Sequence, residues 1–170
     1  DESTRTTYLS SAVANAVQQA VDAALASAAS SKVRIVVEDG VYEGGLQIIK
    51  PAQDDSSTVP TGFELDIRAH DAGDNNVSSA GNVQLFGNVN IDSINTALAG
   101  LYLSLQSIIK ARNSDVEVYG TETADNIQVE ATGAGIAGTV KVDAGAGDDI
   151  IQADTEAVKS VTILGGDGHD

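Results

Sequence analysis

Twice near its C-terminal end the chain runs from a short alternating apolar segment into a glycine-rich turn that ends in aspartate. Thr139-Val-Lys-Val-Asp143 leads into Ala144-Gly-Ala-Gly-Asp-Asp149 and on into Ile150-Ile-Gln152, and Val161-Thr-Ile-Leu164 leads into Gly165-Gly-Asp-Gly-His-Asp170. A looser copy lies upstream, where Val116-Glu-Val-Tyr-Gly120 precedes Thr121-Glu-Thr-Ala124 and Asp125. The aspartates at 125, 149 and 170 are separated by 24 and 21 residues, and the strand starts Val116, Val140 and Val161 repeat the same two steps. Such a period marks a solenoid, in which each unit buries its apolar face by stacking on its neighbours.

The turns are suited to holding a hard cation. Glycine takes positive φ without a Cβ clash, so a tight turn can present its carbonyls, and aspartate supplies the charged oxygen that Ca²⁺ prefers. The candidate ligands are Asp125, Asp149 and Asp170, with Gly145, Gly147, Gly166 and Gly168 placing carbonyl oxygens. Asp148 and Asp167 either join as outer ligands or face water. If the coils stack, equivalent aspartates come within about 5 Å of one another, where like charges repel unless a cation or protons lie between them. The alternative is a set of tight acidic corners with no ion.

The two turns fit the nonapeptide G-G-x-G-x-D-x-U-x and resemble the RTX, or haemolysin-type, calcium-binding repeat of proteins exported by type I secretion. In that family nonapeptides follow one another directly. Here one such turn occurs per 21 to 24 residues, which predicts a wider parallel β-helix with a single calcium-type corner.

Upstream, Leu9, Val13, Val17, Val21 and Leu25 recur every four residues among alanines, predicting a helix from about Thr7 to Ala29 with one apolar face. Lys32-Val-Arg-Ile-Val-Val37, an Asp39-Gly40 turn and Val41-Tyr-Glu-Gly-Gly-Leu-Gln-Ile-Ile49 follow. A helix of this kind before D-G-V-Y-E resembles the opening of right-handed parallel β-helix proteins of the pectate-lyase-like superfamily. The resemblance implies that the helix plugs the open end of the coil stack, where bare core and backbone would otherwise invite edge pairing. Further strands are expected at 63–69, 83–86, 89–94, 101–105 and 107–111, with a tight corner at Gly87-Asn88 and polar loops at 51–62 and 70–82. The interval from Leu65 to Leu85 is 20 residues, which extends the repeat toward the N-terminus.

The predicted architecture is an all-β solenoid, a right-handed parallel β-helix with an amphipathic N-terminal capping helix. It is organised as one continuous domain: 1–31 the capping helix, 32–115 β-helix coils and 116–170 RTX-like coils. A net charge of −16 opposes binding to nucleic acid and to anionic membranes. The absence of cysteine removes disulfides, thiolate metal sites and cysteine nucleophiles. There is no apolar run near the length of a membrane-spanning helix, and no stretch resembles a charged-then-apolar signal peptide. There is no methionine, and the last residue falls inside a repeat, so the chain reads as a fragment of a longer polypeptide.

Other motifs carry less. Gly133-Ala-Gly-Ile-Ala-Gly138 spells the dinucleotide fingerprint, but Thr139–Val142 reads as a strand, so a helix N-terminus for phosphate is missing. His169 occupies a variable motif position, and His70 with Asp71 and Asp74 reads as a surface loop. The expected function is a calcium-binding structural or adhesive module of a large secreted or cell-surface bacterial protein, whose partners are calcium ions with cell-surface polysaccharide or another copy. The alternative is the N-terminal part of a β-helix polysaccharide lyase or uronate epimerase. For that reading aromatic platforms are few and only Arg68, Lys110 and Arg112 lie in the middle coils, so the expectation leans away from an enzyme.

Overall fold

The computed structural model describes residues 4–9, 16–26, 31–50, 59, 62–72, 82–131, 137–156 and 158–170. It consists mostly of parallel β-strands in stacked parallel sheets, with one short helix. In chain order the elements are β1 (Thr4–Leu9), α1 (Ala16–Ala26), β2 (Lys32–Val37), β3 (Gly40–Glu43), β4 (Leu46–Ile49), β5 (Glu64–Ala69), β6 (Val83–Phe86), β7 (Val89–Asp92) and β8 (Asn95–Ala99). They continue as β9 (Tyr102–Leu103), β10 (Ile109–Arg112), β11 (Val116–Thr121), β12 (Asn126–Ala131), β13 (Ala137–Gly145), β14 (Ile150–Thr155) and β15 (Val158–Leu164).

A seven-stranded sheet has the order β1-β2-β5-β8-β11-β13-β15, a five-stranded sheet β14-β12-β10-β7-β4 and a three-stranded sheet β3-β6-β9. From β2 to β10 the chain visits the seven-, three- and five-stranded sheets in turn. From β11 onward it alternates between the seven- and five-stranded sheets only. Each strand pairs in parallel with its counterpart one circuit away, an order compatible with a β-solenoid.

The predicted late register is present, since Val116 pairs with Val140 and Val140 with Val161. The early interval is different. Leu65 lies in the seven-stranded sheet and Leu85 in the three-stranded one, so their separation is not a circuit. Leu65 pairs instead with Val33 and Thr96, 32 and 31 residues away. Alternation identifies a strand but not its sheet, and the polar segments around β5 lengthen these circuits. The expected run 41–49 is divided into β3 and β4 by Gly44 and Gly45, both at positive φ. The expected corner at Gly87-Asn88 separates β6 from β7.

The predicted helix is shorter at its N-terminal side. Thr7 to Leu9 belong to β1, which pairs along its length with β2. The run Thr-Arg-Thr-Thr-Tyr is rich in β-branched and aromatic residues that suit a pleated surface better than a helix. Val13 lies outside the described residues. Within α1 the stripe holds: Val17, Val21 and Leu25 are buried in the core, and the helix packs against β1, β2 and β4.

The interior is built from inward rows of Val, Ile and Leu. Ile35, Ile48, Leu65, Ile67, Val83 and Ile109 are fully buried. The outer face of β2 and β5 holds a buried charge network. Asp66, with no exposed surface, accepts from Arg34 Nε at 2.8 Å and from Arg68 Nη2 and Nε at 2.8 and 3.0 Å.

Candidate metal centre

The three aspartate-bearing corners lie over one another. Thr121 pairs with Gly145, and Ala146 bridges to Asp167 in the next circuit. This stacking, more than turn curvature alone, explains the glycines. Gly147 has φ 125°, and a methyl group there would come within 2.6 Å of the Thr123 carbonyl carbon. Equivalent groups on Gly145, Gly166 and Gly168 would overlap the backbone carbonyl oxygens of Thr121, Gly145 and Gly147. Part of the carbonyl set is already engaged: Gly145 O accepts from Asp167 N, and Asp167 O accepts from Gly147 N. A carbonyl oxygen has two lone pairs, so one such bond leaves it able to meet a cation.

The three predicted aspartates form a ladder. Asp125 turns back over its own corner, where Oδ2 accepts from Thr121 N at 2.6 Å and Thr121 Oγ1 at 3.0 Å. Asp149 Oδ1 accepts from the Asp125 amide at 2.8 Å, and Asp170 Oδ1 from the Asp149 amide at 3.3 Å. At the Asp125 and Asp170 corners a glycine in the first motif position makes room for the carboxylate, whereas the Asp149 corner has Ala144 there. A methyl group on Gly120 would meet Asp125 Oδ2 at 2.7 Å, and one on Gly165 would meet Asp170 Oδ2 at 2.3 Å.

Asp125 and Asp149 are only 5% and 3% exposed, whereas Asp170 is open at the end of the stack. Among the described residues, Asp149 Oδ2 is the buried side-chain polar atom without a hydrogen-bond partner. Burial raises the Asp125 pKa to about 6, opposed by its bonds from Thr121 and assisted by the nearby Asp149 charge. Asp149 is also raised, first by desolvation and then, against the bond from the Asp125 amide, by the charges of Asp170 and Asp148. Its side chain is shielded from water, but it sits one circuit from the open end with little protein beyond it.

Of the flanking acids, Asp148 Oδ1 accepts from the His169 amide at 3.1 Å, and both residues are exposed. Among the described residues no three His, Asp or Glu side chains converge as a ready-made metal cage. What the corner offers is one orphaned buried carboxylate oxygen, a second buried carboxylate in the same ladder and turn carbonyls alongside. Carboxylate and backbone carbonyl oxygens are the ligand types a hard cation takes.

The ladder has counterparts that the sequence reading missed. Asn95 Oδ1 accepts from the Asp115 amide and Asp115 Oδ1 from the Thr139 amide, at 3.1 and 2.7 Å. Ser114 Oγ accepts from Ile94 N, Asn88 Oδ1 from Ile108 N and Ser107 Oγ from Gly87 N. At each corner a short polar side chain satisfies an amide that no strand reaches. Asn88 to Ile108, Ile94 to Ser114 and Asn95 to Asp115 are all steps of 20 residues, a period visible in the sequence only once the corners are aligned.

The remaining candidates separate. His70 Nε2 lies 2.7 Å from Asp39 Oδ1, a hydrogen bond that raises the imidazole pKa despite some desolvation. Asp74, Gly133, Gly135 and Ile136 lie outside the described residues, while Thr139–Val142 is in β13 as expected. Arg68 is committed to Asp66. A depression over Ala97 is lined by Glu64, Asn95, Asp115 and Glu117, and a second one by Gln47, Asn90, Asp92, Lys110 and Arg112.

No protein-family model, curated protein or solved structure matches this chain. The functional reading therefore rests on the chemistry of the corners.

Proposed function

We propose that the stacked sheets form a right-handed parallel β-helix and that the chain is a calcium-binding structural module of a large secreted or cell-surface bacterial protein, with adhesion as its setting. The observation that carries this reading is the orphaned Asp149 Oδ2, buried in an aspartate ladder on glycine corners. A buried carboxylate oxygen without a partner is costly, and a second buried carboxylate in the same ladder adds like-charge repulsion. A cation held by Asp149 Oδ2, Asp125, Asp170 and the corner carbonyls would remove both costs. When bound, Ca²⁺ supplies charge neutralisation and a cross-link between successive circuits. The protein's own residues supply the backbone curvature, the room for the carboxylates and the exclusion of water. Metal affinity is then folding free energy, so the acidic chain is loosened where calcium is scarce and stiffened outside the cell. The polysaccharide-cleaving alternative draws less support, because the depression over Ala97 presents carboxylates and Arg68 is bound to Asp66.

The test is thermal unfolding in excess EGTA, in millimolar Ca²⁺ and in millimolar Mg²⁺, on the parent chain and on Asp149→Asn and Asp149→Ala. Asparagine keeps the acceptor for the Asp125 amide and loses the second carboxylate oxygen. The expected result is a midpoint raised by Ca²⁺ and not by Mg²⁺, with the rise lost in both variants while Asp149→Asn in EGTA stays near the parent. At a hundred times the Kd the stabilisation is about 2.7 kcal/mol. Identical parent curves in all three conditions would sink the reading, leaving hydrogen-bonded corners without an ion and making a uronate-polymer activity screen the next step.

A further inference from the structure

The outer faces of the two larger sheets carry opposite charge at one level of the stack. On the seven-stranded sheet the small Ala97 of β8 floors the depression between Glu64 of β5 and Asp115 and Glu117 beside and on β11. Among the described residues its lining holds three carboxylates and no basic side chain. On the five-stranded sheet the trough along β10 holds Lys110 and Arg112 against the single carboxylate of Asp92, in a chain of net charge −16. Lys110 lies 3.9 Å from Glu130, and among the described residues Arg112 has no ion pair, whereas Lys32, Arg34 and Arg68 are bound to Glu64 and Asp66. Ile49 adds an exposed apolar side chain to the trough.

Both sheets turn their inward rows into one core, Val116 and Val118 from the first and Ile127 and Val129 from the second. Their outer faces therefore look out on different sides of the molecule. The strands β8, β9 and β10 make up one circuit, so Ala97 on one side and Lys110 and Arg112 on the other stand at the same height. Two copies laid side by side with their stacks parallel bring the basic trough of one against the acidic depression of the other without sliding along the axis.

We infer that the Lys110–Arg112 trough of one copy docks in the Ala97 depression of a second copy of this chain. The general field of so acidic a protein drives copies apart, which leaves this pairing of faces as the favoured approach and sets the register of the contact. Two different patches meet, so each bound copy keeps one patch unused and the contact propagates into a row of parallel stacks. Exposed ion pairs are weak and screened by salt, and repetition along the row supplies the holding strength. The outer faces of the sheets carry the inference and no corner aspartate takes part, so it is independent of the calcium reading.

Sedimentation velocity over a concentration series tests it, in EGTA and well below the unfolding midpoint, so that calcium cannot bridge acidic faces. The parent is expected to associate at about 0.02 M salt and to return to monomer at about 0.5 M. One variant, Lys110→Gln with Arg112→Gln, loses the trough; another, Glu64→Gln with Glu117→Gln, loses the depression while leaving acceptors for Lys32 and Tyr119. Each alone is expected to associate at least about tenfold more weakly than the parent, and an equal mixture of the two to form one-to-one dimers and nothing larger, because one functional patch of each kind remains. The glutamate variant separates this contact from general repulsion: it lowers the net negative charge, so repulsion alone predicts stronger association where the docking predicts weaker. A parent that stays monomeric at low salt, a glutamate variant that associates more strongly than the parent, a trough variant that associates as the parent does, or a mixture that remains two monomers would each overturn the inference.

Discussion

Single glycines show most directly how much of this architecture is backbone stacked on backbone. Gly45 and Gly62 both sit at positive φ, 67° and 77°. A methyl group on Gly45 would lie 2.3 Å from the Asn88 carbonyl oxygen, whereas around Gly62 nothing lies within 4 Å. The two positions separate conformational strain from steric overlap. Gly62→Ala carries only the left-handed penalty, about 1–2 kcal/mol. Gly45→Ala must also push the β6–β7 corner away and is expected to cost at least about 3 kcal/mol, since such overlap cannot relax without breaking the neighbouring circuit's hydrogen bonds. Chemical denaturation of the two variants checks this, and equal losses would refute stacking as the reason for the corner glycines. Gly147→Ala, 2.6 Å from the Thr123 carbonyl carbon, is expected to fall with Gly45→Ala.

At the scale of elements, the sheets depend on a buried polar contact as well as on apolar rows. Asp66 on β5 is fully buried between Arg34 of β2 and Arg68 of its own strand. Removing one partner of a buried charge cluster leaves the other uncompensated, which costs about 3–5 kcal/mol. Asp66→Ala is therefore expected to lower the unfolding midpoint by roughly 10 °C, with the loss concentrated in amide exchange of β2 and β5. Asp66→Asn, which keeps an acceptor, should recover part of it.

The alternation Phe63 to Ala69 announced this strand, but nothing in the alternation said that its outer face would be covered. The helix illustrates the same boundary. Its stripe at Val17, Val21 and Leu25 was legible because burial follows the 3.6-residue period, while its N-terminal extension into Thr7–Leu9 failed because pairing with β2 overrode the stripe. The late circuits were legible because their strand starts recur at 24 and 21 residues. The early ones were not, since insertions around β5 break the period and put Leu65 and Leu85 in different sheets. The aspartate corners could be read from glycine spacing. The ladders through Asn88, Asn95, Ser107 and Ser114 could not, since a short polar residue beside a strand looks alike whether it faces water or caps an amide.

For the molecule as a whole, its titrating groups and its net charge act in one direction. Asp125 has a folded pKa near 6 against an ordinary 3.8, so between those values the folded state binds more protons than the unfolded one and stability falls as pH rises. His70 is raised above its ordinary 6.5, chiefly by its hydrogen bond to Asp39. Its contribution is complete below pH 6.5 and is lost as pH climbs through the folded value, again a fall with rising pH. The chain's charge of −16 adds self-repulsion as the last acids ionise. In EGTA the unfolding midpoint is therefore expected to decline steadily from pH 5 to pH 8. Asp125→Asn should flatten the portion below about pH 6, because the amide does not titrate there, and His70→Gln should flatten the portion above 6.5. Calcium should change the shape as well as the height of the profile. A cation that holds Asp125 ionised replaces the proton this group retains below about pH 6, so its stabilisation should grow from pH 5 to pH 7 as protons stop competing for the same oxygens. A calcium increment that is the same at both ends of this range would mean that the ion binds elsewhere on the acidic surface, whatever its size.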